Sequence, residues 1–161
     1  MRIGIYPGSF DPITLGHLDI VKRARNICDK LIIAAAINIS KKPLFNIEER
    51  LEMIRKSCSN MDNIEITTFN GLLADYCKEK NVNFIVRGLR SGIDFDNEYA
   101  VALINRRLAP EAETIFFLSD SELSCVSSSM VKEIASYGGD ITTFVPQFVK
   151  QKLSEKFSNQ N

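Results

Sequence analysis

The sequence predicts a doubly wound, Rossmann-like α/β domain: a parallel five-stranded sheet with helices on both faces and further C-terminal helices. Two observations carry that prediction. Five short segments rich in Ile, Val and Phe recur along the chain, with the length and composition of strands buried on both faces. The stretches between them repeat apolar residues at helical spacing, and alternation of this kind calls for a parallel sheet covered on both sides. The 161 residues contain no internal repeat, low-complexity segment or linker, so residues 1–161 read as a single domain.

In order, Ile3–Tyr6 is the first strand, and Gly16 to Cys28 is a helix with Leu18, Val21 and Arg25 along one side and Ile20, Ala24 and Ile27 adjoining. Leu31–Ile37 is the second strand. The helix after it sets Ile47, Leu51, Ile54 and Cys58 on one face, and Asn46 with Glu49 three residues on forms a capping-box start. Ile64–Phe69 follows as a strand, then a helix with Leu72, Leu73, Tyr76 and Cys77. Phe84–Arg87 is the fourth strand, with Phe95, Tyr99, Ala102 and Leu103 on the face of its helix. Thr114–Leu118 is the fifth strand. Two helices close the chain, at Ser128–Tyr137 and Pro146–Phe157, separated by Gly138-Gly139-Asp140.

Composition narrows the function. Twenty Lys+Arg balance 20 Asp+Glu, which removes the basic excess expected of a nucleic-acid binder but leaves room for a small anionic ligand held by a few cations. The longest apolar run, Leu31 to Ile37, is far short of the ~20 residues that span a bilayer, and the N-terminal stretch has no signal-peptide core. The four cysteines, Cys28, Cys58, Cys77 and Cys125, form no Cys-x-x-Cys and read as reduced, mostly buried residues. The expectation is a cytoplasmic protein without nucleic-acid or membrane partners.

In a doubly wound sheet the chemistry sits beyond the carboxyl ends of the strands. The first such loop runs from Pro7 to His17 and contains neither a G-x-G-x-x-G nor a Walker A sequence. Instead Thr14, Gly16 and His17 open a helix, where free N–H groups and the helix dipole favour an anion. Ser40-Lys41-Lys42-Pro43 follows the second strand. Arg87-Gly88-Leu89-Arg90 follows the fourth and offers two guanidiniums able to grip phosphate oxygens bidentately. Ser127-Ser128-Ser129 opens a later helix. Each feature alone suits a solvated turn or a simple helix cap; together they describe a crevice for a polyphosphate and a second phosphorylated molecule. No Ser stands beside a His/Asp set and the cysteines lack a base, so direct in-line transfer fits better than covalent catalysis.

The Thr14-Leu15-Gly16-His17 motif after Gly8-Ser9-Phe10-Asp11-Pro12, with the late serine-rich helix start, resembles the nucleotidyltransferase superfamily. From Arg2 to about Phe157 the chain is similar to the bacterial phosphopantetheine adenylyltransferases, on Ser40–Pro43 with Glu48-Glu49-Arg50, Arg87–Arg90, Asp94-Phe95 with Glu98, and Val126 to Glu133. The resemblance implies adenylyl transfer from ATP to 4′-phosphopantetheine, giving dephospho-coenzyme A and pyrophosphate, with Mg2+ and in a homohexamer. It implies that His17 stabilises the transition state at the α-phosphate, with Lys41 and Arg90 completing the catalytic set. Ser9, Lys41, Leu73 and Arg87 would hold the pantetheine substrate. Ser9, Phe10, His17, Gly88, Leu89, Arg90, Glu98, Leu123, Ser124, Cys125, Val126, Ser127, Ser128 and Ser129 would line the ATP site. The metal ligands stay unassigned.

Two positions depart from the family pattern. Ser9 stands where many members carry Thr and keeps the hydroxyl, and Leu123-Ser124-Cys125-Val126 lacks the aromatic residues often found before the serine run. Two rival readings remain: a nucleotidyltransferase acting on a nicotinate mononucleotide or a glycerol phosphate, and a non-catalytic nucleotide sensor. The first is disfavoured by Arg87–Arg90 and Ser40–Pro43. The second has no need of His17.

Overall fold

The computed structural model describes residues 1–37, 42–90 and 92–158. Its elements run β1 (Ile3–Gly8), α1 (Leu15–Ala24), a 3-10 turn (Arg25–Ile27), β2 (Lys30–Ala36), α2 (Ile47–Ser57), β3 (Ile64–Phe69), α3 (Leu73–Glu79), β4 (Phe84–Leu89), α4 (Gly92–Leu108), β5 (Glu113–Leu118), α5 (Ser128–Ser136) and α6 (Gln147–Ser158). The five strands form one parallel sheet in the order β3-β2-β1-β4-β5, as the alternating pattern predicts. The order reverses between β1 and β4.

Side chains of successive strand residues point to opposite faces, and the core divides accordingly. Tyr6, Leu31, Ile33, Ala35, Phe84 and Val86 pack on one face under α1, α2, α5 and α6. Ile5, Ile32, Ala34 and Ile85 pack on the other with Ala74 and Cys77 of α3 and with Ala109 and Ala112 beyond α4. Burial on both sides explains why β2 reads as a continuous apolar run rather than an alternating one. The Asn46 cap forms as its sequence predicts: Asn46 Oδ1 accepts from the Glu49 N–H at 2.9 Å, and Glu49 Oε2 accepts from the Asn46 N–H at 2.7 Å. Cys28, Cys58 and Cys77 are buried free thiols, burial pushing the last two up to about 11, while Cys125 is exposed.

One helix face extends the sequence reading and another departs from it. In α2 the expected face meets the core, with Ile54 and Cys58 buried and Ile47 and Leu51 packed against them, and the buried face also takes in Met53 and the Arg50 guanidinium. In α4 the expected core face is open: Phe95 is 43% exposed, Tyr99 50% and Leu103 44%, with Ile104 at 57%. Apolar residues surround α4 on several sides, and spacing alone did not select which of them the sheet covers.

Ile33 is fully buried in the middle of β2. Ile33→Ala removes methylene groups that the neighbouring strands cannot replace, and a loss of about 2–5 kcal/mol is expected from urea unfolding, with activity per folded molecule retained.

Candidate active site

Strands β1 and β4 are in register at Gly4–Phe84 and Ile5–Ile85, whereas β1 and β2 stay paired over the whole of β1. A crevice of 440 Å³ opens beyond that point, at the reversal of strand order. Its floor comes from Tyr6 to Phe10 and from Gly88, and its walls from the starts of α1 and α5. A second cavity of 430 Å³ adjoins it on the β2 side, lined by Lys42, Phe69, Leu73 and Lys132 among others. The two share Pro7, Gly8, Ser9, Arg87, Ser128 and Ser129, so a ligand in either one meets the other at those residues.

The first loop is tightly held. Phe10 has φ 46°, a left-handed conformation uncommon for a bulky residue, and its ring is buried edge-on to Tyr6 at 5.5 Å and to His17 at 5.2 Å. Thr14 caps α1: its Oγ1 accepts from the His17 N–H at 3.3 Å. The reciprocal bond decides the chemistry of the ring. The Thr14 backbone N–H donates to His17 Nδ1 at 3.0 Å; a backbone N–H can only donate, so Nδ1 is the acceptor and the proton sits on Nε2. Burial, together with the Arg90 and Arg87 guanidiniums, pulls the His17 pKa down to about 4. The ring is thus a neutral hydrogen-bond donor at neutral pH, lining the crevice between Phe10 and the two arginines.

The cations are positioned by carboxylates. Arg87 forks onto Glu98, Nε at 2.6 Å and Nη2 at 2.5 Å, and its Nη1 donates to the Pro7 carbonyl at 3.2 Å. Arg90 Nε lies 3.3 Å from Asp94 Oδ2 in the first turn of α4. Ser127 caps α5 by accepting from the Met130 N–H at 3.1 Å, and Ser128 Oγ donates to the Pro12 carbonyl at 2.8 Å. The N-termini of α1 and α5 therefore face one space, an arrangement suited to phosphate oxygens.

Most of the residues expected from the sequence come together. Ser9, Phe10, His17, Arg87, Gly88, Arg90, Glu98, Leu123, Val126 and Ser127 to Ser129 line the first cavity, and Ser9, Lys42, Leu73 and Arg87 line the second. Leu89 is buried, and Ser124 and Cys125 belong to the outer part of the loop; none of the three lines either cavity. Ser40 and Lys41 lie outside the described residues. Sequence reasoning missed Asp11, Arg50 and Lys132, which border the second cavity. Asp11 and Lys132 are 121 positions apart, and only the fold brings them together.

The sequence model of the cytidylyltransferase-like family matches residues 5–134. The phosphopantetheine adenylyltransferase of Carboxydothermus hydrogenoformans is 53% identical over 160 residues, covering 99% of this chain and 99% of its own. The chain belongs to the phosphopantetheine adenylyltransferase family. The family member from Leptospira biflexa is 54% identical over 156 residues, 97% of this chain and 98% of its own. The crystal structure of a putative nicotinate-nucleotide adenylyltransferase from Vibrio parahaemolyticus shares the fold with a TM-score of 0.66 at 16% identity, over 99% of this chain and 94% of that one.

The chain has a single histidine, so its titration can be read without assignment. Nitrogen-15 NMR should show the Nε2–H tautomer and a midpoint near pH 4. Because the folded value is lowered, the unfolded chain binds the extra proton first, and stability should decline as pH falls from about 6.5 toward 4. A midpoint near 6.5 with no tautomer preference would contradict this geometry.

Proposed function

We propose that this chain transfers the adenylyl group of ATP to the phosphate of 4′-phosphopantetheine, giving dephospho-coenzyme A and pyrophosphate. An oxygen of the acceptor phosphate attacks the α-phosphorus; the bond from that phosphorus to the bridging oxygen breaks, and the electron pair leaves with pyrophosphate. The observation that carries this reading is the pair of cavities meeting at Ser9, Arg87, Ser128 and Ser129, with His17 lining the first of them. The larger one, walled by two helix N-termini and Arg90, takes the nucleotide. The other, with Lys42, Leu73 and Arg87, takes the pantetheine substrate. Lys41 and Arg90 complete the catalytic set with His17 in this reading.

His17 needs no proton change in this reaction. Its fixed Nε2–H donates to a non-bridging oxygen of the α-phosphate as charge gathers there, and Thr14 prevents the ring from turning. Arg87 orients the acceptor phosphate while Glu98 holds its fork. The serine run offers hydroxyl and N–H donors to both substrates. Nothing in this scheme calls for a covalent intermediate.

Mg2+ fits as a partner of the ATP phosphates. Among the described residues no cluster of three His, Cys, Asp or Glu side chains forms a cage, and Mg2+ commonly binds through substrate phosphates, waters and one or two carboxylates. Its charge would offset that of the leaving pyrophosphate. The exposed apolar residues Phe95, Tyr99, Ile104 and Leu118 support assembly of several copies, the family's homohexamer. Among the described residues no helix is long and apolar enough to cross a membrane; the reading places the enzyme in the cytoplasm.

Pyrophosphate release from ATP, measured with a panel of phosphorylated acceptors, tests the reading. Turnover is expected with phosphopantetheine; turnover only with nicotinate mononucleotide or glycerol phosphate would overturn the assignment, and none with any acceptor would favour a sensor. His17→Ala should retain its fold by circular dichroism and lose about 100-fold or more in kcat. Glu98→Gln, which keeps one acceptor oxygen but not the charge, loosens the Arg87 fork and alters the nucleotide cavity that Glu98 lines, and should raise KM for both phosphopantetheine and ATP about tenfold, the equivalent of ~1.4 kcal/mol. An unchanged KM for phosphopantetheine would take Arg87 off the acceptor phosphate.

A further inference from the structure

A buried carboxylate beside the crevice has no part in the transfer chemistry. Asp11 is 5% exposed and accepts three hydrogen bonds: the Leu44 N–H at 3.0 Å, the Phe45 N–H at 2.9 Å and Lys132 Nζ at 2.7 Å. Although burial works against ionisation, the bonds from Lys132, Phe45 and Leu44 hold its carboxyl below the usual range. The donors come from three different parts of the chain. Asp11 follows Ser9 and Phe10 in the first loop, Leu44 and Phe45 follow Lys42, and Lys132 stands in the second turn of α5.

Ser128 and Lys132 are four residues apart on α5 and so share one face of it. Both dock on the first loop, Ser128 at the Pro12 carbonyl and Lys132 at Asp11. A buried cation works on the opposite flank: Arg50 Nη1 donates to the Ser9 carbonyl at 2.8 Å and to the Ala36 carbonyl at 3.2 Å, tying the loop to the end of β2. The loop that carries Ser9 is thus pinned on both sides by charged groups. A buried ion pair is weak support for stability, because desolvation offsets most of its attraction; what it fixes is direction and distance. Here the distance fixed is that between the first loop and the serine run, the two segments that meet at the junction of the cavities.

We propose that the Asp11–Lys132 pair is a positioning device: it sets the α5 serine run against the first loop, so that the acceptor phosphate lies in line with the α-phosphorus. Lys132 is then a positioning residue that acts through Ser128 and Ser129, with its ammonium directed at Asp11 rather than at substrate. This rests on the adenylyl-transfer reading given above. Turnover of the unaltered protein tests that reading, and only the comparison among variants tests the positioning.

The experiment measures kcat and both KM values for the wild type, Lys132→Met and Lys132→Arg, with kcat referred to the folded fraction at the assay temperature. Lys132→Met keeps the apolar stem and removes the charge; kcat should fall at least about tenfold while both KM values change less than about threefold. Lys132→Arg restores the ion pair and should recover most of the lost kcat. Should the Met variant melt below the assay temperature, Lys132→Gln carries the same comparison. Wild-type kcat per folded molecule in the neutral variants would overturn the proposal and leave the pair a role in stability alone. So would an equal loss in the Arg variant, or a rise in KM for phosphopantetheine at unchanged kcat, which would place the ammonium on the substrate.

Discussion

The parting of β1 from β4 is the constraint on which the rest of this structure depends. The two strands meet in register at Gly4–Phe84 and Ile5–Ile85, and the crevice begins where that register ends. Because the sheet order reverses there, the loops after β1 and β4 lead away to opposite sides and leave a gap that neither fills. Arg87 reaches into it and donates to the Pro7 carbonyl, so a charged side chain spans the opening. A Cβ on Gly88 would stand 3.3 Å from Ile20 Cγ1, tight enough to narrow the floor. Two helix N-termini, two arginines and one neutral histidine then face the same space because the topology delivers them there.

Net charge gives little hint of this. The 20 cations and 20 anions cancel over the chain, and they also pair locally: Arg87 with Glu98 and Arg90 with Asp94. In the proposed reaction, phosphates arriving at these arginines would compete with carboxylates already in place, an exchange of partners rather than the neutralisation of bare cations. That arrangement keeps the guanidiniums oriented before substrate enters, which limits what must be reorganised during the reaction. The histidine follows the same logic. Burial and neighbouring cations keep it uncharged, so in the proposed reaction it would serve as an oriented donor and not as a further positive charge.

How much of this could be read in advance depended on the range of each interaction. Strand composition and the Asn46 capping box are local signals, and both reappear in the structure at the expected residues. The loops after β1, β2, β4 and β5 supply lining residues of the two cavities, and their placement follows from fold class alone. The buried face of α4 was not legible, since Phe95, Tyr99 and Leu103 satisfy helical spacing yet lie open on the surface. Burial of Arg50 was hidden for a related reason: its acceptors are the backbone carbonyls of Ser9 and Ala36, which no side-chain pattern announces. The Asp11–Lys132 pair joins residues 121 positions apart and has no local signature at all.

The central claim is that oriented donors, with no nucleophile on the protein, carry out one displacement at the α-phosphorus. The stereochemical course tests it most directly, using ATP made with a single configuration of sulfur on the α-phosphate and the configuration of the product read by phosphorus NMR. One in-line displacement inverts that centre, and inversion is the result this account predicts. Retention would require two successive displacements through an adenylylated protein, and would contradict it.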